Sequence, residues 1–314
     1  GRLVVFCPGM EHEPLGVEAG QVVAGKYELR QLIGRGGMGS VWRVDDLKLG
    51  SPVALKILKP DVSANPNSVA RFMREAKASA MLRSPHVVQI LDYGRDGEVV
   101  YIVMELLHGH SLFRRLKSEQ RLSPALTAKV MTHVARAMQR AHDAGVVHRD
   151  LKPDNIFLIA EDDDVHAKVL DFGIAKSTLL SLDSTGESPM TQTGALVGTP
   201  YYMSPEQATA QKDIDYRSDL WAMAVITYEC LLGVRPYQSG SLGQLILMIC
   251  SQPQPVPSQV GAVPSGFDAW FARAQERDPG LRFQSAREQT AALREVLLGE
   301  ARAADSAASR RSSA

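Results

Sequence analysis

Residues Val146 to Ile159 read VVHRDLKPDNIFLI. Apolar residues close both ends, while the middle carries His148, Arg149, Asp150, Lys152, Asp154 and Asn155. Lone ionised groups are costly to bury, so a charged cluster between two apolar runs pairs internally, binds a metal or faces a cleft. The residue types suit the handling of a strongly charged group. Asp150 can orient an attacking hydroxyl, Lys152 can neutralise negative charge, and Asn155 offers a hard amide oxygen to a divalent cation. Asp171, opening the stretch DFG, adds a carboxylate of the same hardness. Gly173 there permits a sharp bend, and Phe172 can anchor the loop by packing.

Upstream, Gly34 to Gly39 reads GRGGMG. Alone this is a weak signal, since glycine runs often only turn the chain. A dinucleotide fingerprint would open a helix, whereas SVWRV follows here and alternates like a strand. The segment therefore reads as a strand, glycine loop and strand, a hairpin whose missing side chains let backbone N–H groups approach phosphate oxygens. Further on, VALK places Lys56 on a strand, facing oppositely to Leu55 and Ile57 by the period of two. Lys56 is then either a solvent-facing lysine or a cation aimed at phosphates. Glu75 is its natural carboxylate partner, although taken alone it reads as a solvated helix charge.

Residues 27 to 105 read mainly as strands, interrupted by one helical segment from about Ser68 to Arg83 with Val69, Phe72, Met73, Ala76 and Ala80 on one face. From Ser111 onward helical patterns dominate, with a short β-like region in NIFLI and AKVLDFG. EDDDV, Glu161 to Val165, reads as a solvated β-turn, and SQPQPVPSQVGAVP as an extended connector. The expectation is an α+β chain of two lobes, a small β-rich one with one main helix and a larger, mainly helical one, with a small-molecule cleft between them. Residues 1–24 form an extension, partly ordered or disordered. The small lobe covers about 25–106 and the large lobe about 107–298, and 299–314 is expected to be a disordered tail or linker.

Composition narrows the partners. The 314 residues carry 35 Lys+Arg against 35 Asp+Glu, so no global charge draws the chain to nucleic acid or an anionic membrane. The longest apolar run, Leu220 to Val234, is interrupted by Glu229 and falls short of the ~20 residues a membrane span needs. The start, GRLVVFCPGM, lacks the basic flank of a signal peptide. Cys7, Cys230 and Cys250 form no disulfide framework, which points to a reducing compartment and a cytoplasmic location. Cys7 and His12 are followed by no second pair, so structural zinc is not expected there.

Taken together, these motifs resemble those of eukaryotic-type protein serine/threonine kinases, most of all the bacterial members. GRGGMGSV matches the glycine loop through Val41, VALK matches with Leu55 in place of the usual isoleucine, and HRDLKPDN and DFG match at every position. The resemblance covers about residues 27 to 295 and implies the bilobal protein-kinase fold. It implies that ATP lies under the loop formed by Ile33, Gly34, Arg35, Gly36, Gly37, Met38 and Gly39. Leu32, Val41 and Ala54 would sandwich the adenine, Met104 would sit behind it, and the backbone of Glu105 and Leu107 would hydrogen-bond it. Lys56, paired with Glu75, would bind the α- and β-phosphates, Asp150 would be the catalytic base beside Lys152, and Asn155 and Asp171 would hold Mg²⁺, with Mn²⁺ as an alternative. Thr199, in GTPYYMSPEQA, is similar to the threonine that contacts the catalytic aspartate and lysine in serine/threonine-directed members. Glu206, within Ser204-Pro205-Glu206 where the family has A-P-E, would pair with Arg282. Asp219 resembles the residue that buttresses the catalytic loop.

The implied activity is transfer of the γ-phosphoryl group of ATP to serine or threonine hydroxyls of proteins. The alternative is a kinase-like scaffold that binds partners without catalysis. Among residues 174–197, Thr191 and Thr193 are the expected autophosphorylation sites, modified by a transient second copy of the chain. Added phosphate charge would then order this loop around Arg149.

Overall fold

The alternating apolar residues on either side of the glycine loop build the first hairpin of a six-stranded antiparallel sheet. In this computed structural model, which describes residues 17–37, 39–161, 164–172 and 200–311 apart from the side chains of Arg71, Glu75, Glu161 and residues 300–311, the strands are Val22–Val23 (β1), Tyr27–Arg35 (β2), Gly39–Asp46 (β3), Ser51–Leu58 (β4), Ile90–Asp96 (β5) and Val99–Met104 (β6). Their order is β1-β2-β3-β4-β6-β5. Both faces are covered, which is why β6 reads as the unbroken apolar run VVYIVM. One face packs Leu29, Trp42, Leu55, Ile57 and Val103 against Val17 and Val23, so Val17 already belongs to this core. The other face packs Leu58, Val100 and Ile102 against Phe72 and Ala76 of Pro66–Met81 (α2).

Helix α2 starts where the sequence supplies a cap: the Asn65 side chain accepts from the N–H groups of Asn67 and Ser68, with Pro66 at the first helical position. Burial of Phe72, 1% exposed, contributes roughly 1.5–3 kcal/mol to holding the helix on the sheet. A one-turn helix, Pro60–Ser63 (α1), precedes it. It is too short to leave a periodic trace in the sequence.

The larger lobe begins with Gly109–Ser111 (β7), Leu112–Glu119 (α3) and Pro124–Asp143 (α4). Ile156–Glu161 (β8) and Asp164–Val169 (β9) pair antiparallel, with Glu161 opposite Asp164, while Asp162 and Asp163 of the EDDDV stretch expected as a turn lie outside the described residues. Further on come Pro205–Ala208 (α5), Arg217–Leu232 (α6), Leu242–Cys250 (α7), Pro257–Val260 (α8), Phe267–Ala274 (α9) and Ala286–Arg311 (α10). Helix α6 is buried on almost every side, from Ser218 to Leu232, and forms the axis of this core. Among the described residues no helix is long and apolar enough to cross a membrane.

Three features depart from the sequence reading. The stretch expected as an extended connector contains α8, started by Pro257 at a first-turn position that tolerates proline. The segment expected as a disordered tail continues α10 to Arg311, in keeping with the high helix propensity of its alanines. Finally, the loop after α2 belongs by packing to the large lobe: Leu82 and Val87 lie in its core. There Val88 N–H donates to Val169 O at 3.0 Å, and Val169 N–H donates to His86 O at 2.8 Å.

Candidate active site

The structure brings most of the residues singled out above to one place between the lobes. Cross-strand register sets Val41 opposite Lys56, and Ala54 opposite Met104. Because side chains directly opposite share a face, these four point away from the core that holds Leu55 and Ile57. Leu32 does not join them. It packs against that other core, which leaves Ile33 as the residue of the pair available to the cleft. The glycine loop is closed by Gly36 N–H donating to Gly39 O at 2.8 Å. Gly36 and Gly37 are exposed, whereas Gly39 is buried.

At the back of the cleft, Glu105 is held in place by its side chain. Lys168 Nζ lies 2.6 and 2.8 Å from its carboxylate oxygens, and Gln89 N–H donates to Oε1 at 2.7 Å. Glu105 N–H is committed to Gln89 O at 3.0 Å. What the Glu105 backbone can offer a ligand is therefore its carbonyl. Lys56 Nζ reaches Asp171 Oδ1 at 2.7 Å, joining the small lobe to the DFG stretch. Glu75 falls on α2, but its side chain lies outside the described residues, as do Met38, Thr191, Thr193 and Thr199.

The loop from His148 to Asn155 is held from three sides. Asp219, at the start of α6 and 1% exposed, accepts from the His148 N–H at 2.9 Å, the Arg149 N–H at 2.8 Å and His142 Nε2 at 2.8 Å. Gln207 Nε2, from α5, donates to Arg149 O at 2.8 Å. His148 Nε2 donates to Leu170 O at 3.0 Å while its Nδ1 accepts from Asp150 N–H at 3.3 Å, so one tautomer satisfies both contacts. Its ring packs against Phe172, which is fully buried. These bonds keep Arg149 at φ 64° and Asp171 at φ 48°, a left-handed backbone that non-glycine residues adopt only when the surroundings impose it.

Asp150 Oδ2 lies 3.1 Å from Lys152 Nζ, and Asn155 Nδ2 donates to Asp150 O at 2.9 Å. That amide bond decides which end of Asn155 is available, since it turns Oδ1 toward whatever else binds there. Together with the Asp171 carboxylate this gives a pair of hard oxygen donors, the ligand type that Mg²⁺ takes.

Sequence reasoning anticipated Asp219 and the Glu206–Arg282 pair, which is buried and bidentate at 2.8 Å on both arms. It missed Gln207 and His142. Gln207 had a legible signal, because Ser204-Pro205-Glu206-Gln207 fits a capping box and both of its bonds form. His142 had none, since it lies 77 positions from Asp219.

This geometry agrees with what the chain resembles. The protein kinase domain family matches residues 27–265. Serine/threonine-protein kinase PknD of Mycobacterium tuberculosis is 38% identical over 275 residues, covering 87% of this chain and 40% of that protein. Serine/threonine-protein kinase pkn3 of Myxococcus xanthus is 38% identical over 284 residues, covering 88% of this chain and 51% of that protein. The chain thus spans about half or less of the length of these relatives. Among solved structures, the PknI kinase domain of Mycobacterium tuberculosis superposes with a TM-score of 0.70 at 27% identity, covering 89% of this chain and 99% of that one. With the family matched over most of its length and its motif residues gathered in one cleft, the chain belongs to the protein kinase domain family.

Proposed function

We propose that the chain is a protein serine/threonine kinase that moves the γ-phosphoryl group of ATP to serine or threonine hydroxyls of protein substrates. The observation that carries this reading is the joint presence of Lys56 on Asp171 and of Asp150 beside Lys152 and Asn155, on a loop locked by Asp219. A binding scaffold would have no need of so constrained a loop around an acid, a base and two cation ligands.

In this reading Ile33, Val41, Ala54 and Met104 enclose the adenine, and the Glu105 carbonyl and Leu107 N–H meet its polar edge. Lys56 neutralises phosphate charge, and the backbone of Gly34 to Gly39 approaches the phosphates. Asn155 Oδ1 and Asp171 hold Mg²⁺, which when bound offsets negative charge on the phosphates. Asp150 orients the substrate hydroxyl and receives its proton, and Lys152 stabilises charge on the transferred group. Because the His148 and Arg149 amides are fixed on Asp219, the Asp150 carboxylate is positioned before substrate arrives, which lowers the cost of reaching the reactive geometry.

Arg149 supports control by phosphorylation. Its Nε is buried without a hydrogen-bond partner among the described residues, and its Nη2 reaches only Ile214 O at 3.4 Å. A phosphate placed by residues 174–197 would meet that guanidinium with charge-assisted bonds.

The test is incubation of the purified, dephosphorylated chain with Mg²⁺ and ATP beside Asp150→Asn, with phosphate mapped by mass spectrometry. Phosphate on Thr191, Thr193 or neighbouring threonines in the parent chain and none in the variant is the expected result. A folded, ATP-binding parent chain that stays unmodified and phosphorylates no protein substrate would overturn the proposal.

A further inference from the structure

Away from the cleft, three histidines meet from three separate elements: His86 from the loop after α2, His133 from α4 and His166 from β9. Their ring centroids lie 4.4 Å apart for His86 and His133, 4.6 Å for His86 and His166, and 5.1 Å for His133 and His166. One ring nitrogen from each comes within 4.8 Å of the other two. Phosphoryl transfer as read above uses none of them.

Their hydrogen bonds show where the lone pairs are. His86 Nδ1 lies 3.2 Å from Ala167 O. A carbonyl only accepts, so Nδ1 carries the hydrogen and Nε2 keeps its lone pair. His166 Nε2 lies 2.9 Å from Pro85 O, which by the same argument leaves the lone pair on Nδ1. Histidines that bind metals usually donate their second ring N–H to a carbonyl or carboxylate, and two of the three already do. His133 differs, because its Nδ1 accepts from the Ala167 N–H at 3.2 Å and its hydrogen therefore sits on Nε2. It offers a lone pair once its ring turns about Cβ–Cγ and releases that bond.

The surroundings select the kind of ion. Burial above all, with the nearby cations, holds His133 down to about 4 and His86 below its ordinary value, so neither ring is blocked by a second proton near neutral pH. The neighbouring cations are Lys129, paired with Asp164, Lys168, paired with Glu105, and Arg136, so the charges around the rings give no net pull on a cation that binds by charge alone. The ligand set is imidazole without carboxylate. That suits zinc, copper and nickel, and not Mg²⁺ or Ca²⁺.

We propose that His86, His133 and His166 form a binding site for one transition cation of the Zn²⁺ or Cu²⁺ class, with His86 Nε2 and His166 Nδ1 as ligands once their rings, stacked within 20° of parallel, tilt toward the ion, and with His133 joining after its ring turns. His133 and His166 are only part-buried, so an ion can reach them from solvent. Occupied, the site ties the loop after α2 to α4 and the β8–β9 hairpin, reinforcing the backbone bonds that Val169 makes with Val88 and His86.

The test uses the untagged chain titrated with Cu²⁺ or Zn²⁺ in excess Mg²⁺, which occupies oxygen donors elsewhere. His166→Phe and His133→Phe keep ring stacking and volume while removing the nitrogens. One tight ion per chain is expected, with nitrogen hyperfine structure from at least two imidazoles in the Cu²⁺ electron paramagnetic resonance spectrum. His166→Phe is expected to weaken this ion by at least about tenfold, the low end of what loss of even an outer ligand partner costs. His108→Gln with His110→Gln should leave it unchanged. A thermal melt without metal confirms that each variant is folded. Equal affinity and the same spectrum in the parent chain and folded His166→Phe would overturn the proposal, as would the absence of any ion bound through nitrogen.

Discussion

At the scale of single residues, the glycine loop shows how one motif can serve two purposes. Gly36 and Gly37 are exposed, and a Cβ at Gly37 would meet nothing within 4 Å, so neither is required by packing. Gly39 is different, because a Cβ there would run into the Ile57 carbonyl of β4. Its absent side chain is what lets β3 lie against β4. Gly39→Ala is therefore expected to destabilise the chain by about 1–3 kcal/mol, the usual cost of forcing extra volume into a packed site. Gly37→Ala should stay within about 0.5 kcal/mol and show its effect in the KM for ATP. Denaturant unfolding of both variants, set beside ATP-dependent rates, separates the two roles. Equal stability losses would contradict this division.

At the scale of elements, polar contacts buried in the large lobe decide how helices sit against the loop from His148 to Asn155. Arg282 and Glu206 are both buried and pair through two bonds, while the Arg282 guanidinium also donates to the carbonyls of Glu276, Arg217 and Arg277. The pair thus locks α5 onto the chain between α9 and α10, and α5 in turn presents Gln207 to Arg149 O. Glu229, on α6, receives the Tyr202 hydroxyl at 2.5 Å. Burial pushes the Glu229 carboxyl above its ordinary 4.5, and the Tyr202 bond offsets part of that. The folded chain consequently holds this proton more tightly than the unfolded chain. The stabilisation is complete below pH 4.5 and is lost as pH rises through the elevated folded-state value. Glu229→Gln keeps an oxygen acceptor for Tyr202 and removes the charge. Melting curves between about pH 4 and 7 should show the variant gaining on the parent chain as pH rises. A difference in melting temperature that stays constant with pH would contradict the assignment.

At the scale of the whole molecule, the boundary between lobes does not follow the chain. Helix α2 packs on the small-lobe sheet through Phe72 and Ala76, yet the loop leaving it is bound to β9 by two backbone hydrogen bonds and buries Leu82 and Val87 in the large-lobe core. Any rocking of the small lobe must therefore hinge around an anchored exit from α2. Segments that open together exchange amide hydrogens together. The amides of Val88 and Val169 are expected to show matched protection at the level of the α4 and α6 core. They should exchange more slowly than the amides of β1 and β2, as read by hydrogen exchange with mass spectrometry. Protection of Val88 matching β2 in place of β9 would show that the loop moves with the small lobe.

The local features of this protein were legible in its sequence because they arise from short-range physics. Alternation gave the strands around the glycine loop, helical periodicity gave α2 and the helical character of the larger lobe, and the residue types in HRDLKPDN and DFG named a phosphate and cation site before any fold was known. The tertiary structure alone determined what depends on long-range approach. It set His142 against Asp219 and Gln207 against the Arg149 carbonyl, separated Ile33 from Leu32, and made Gly39 a packing residue. It also assembled three histidines from positions 86, 133 and 166 into one cluster. Sequence spacing carries no record of such contacts, since they are set by how sheets and helices pack once each has formed.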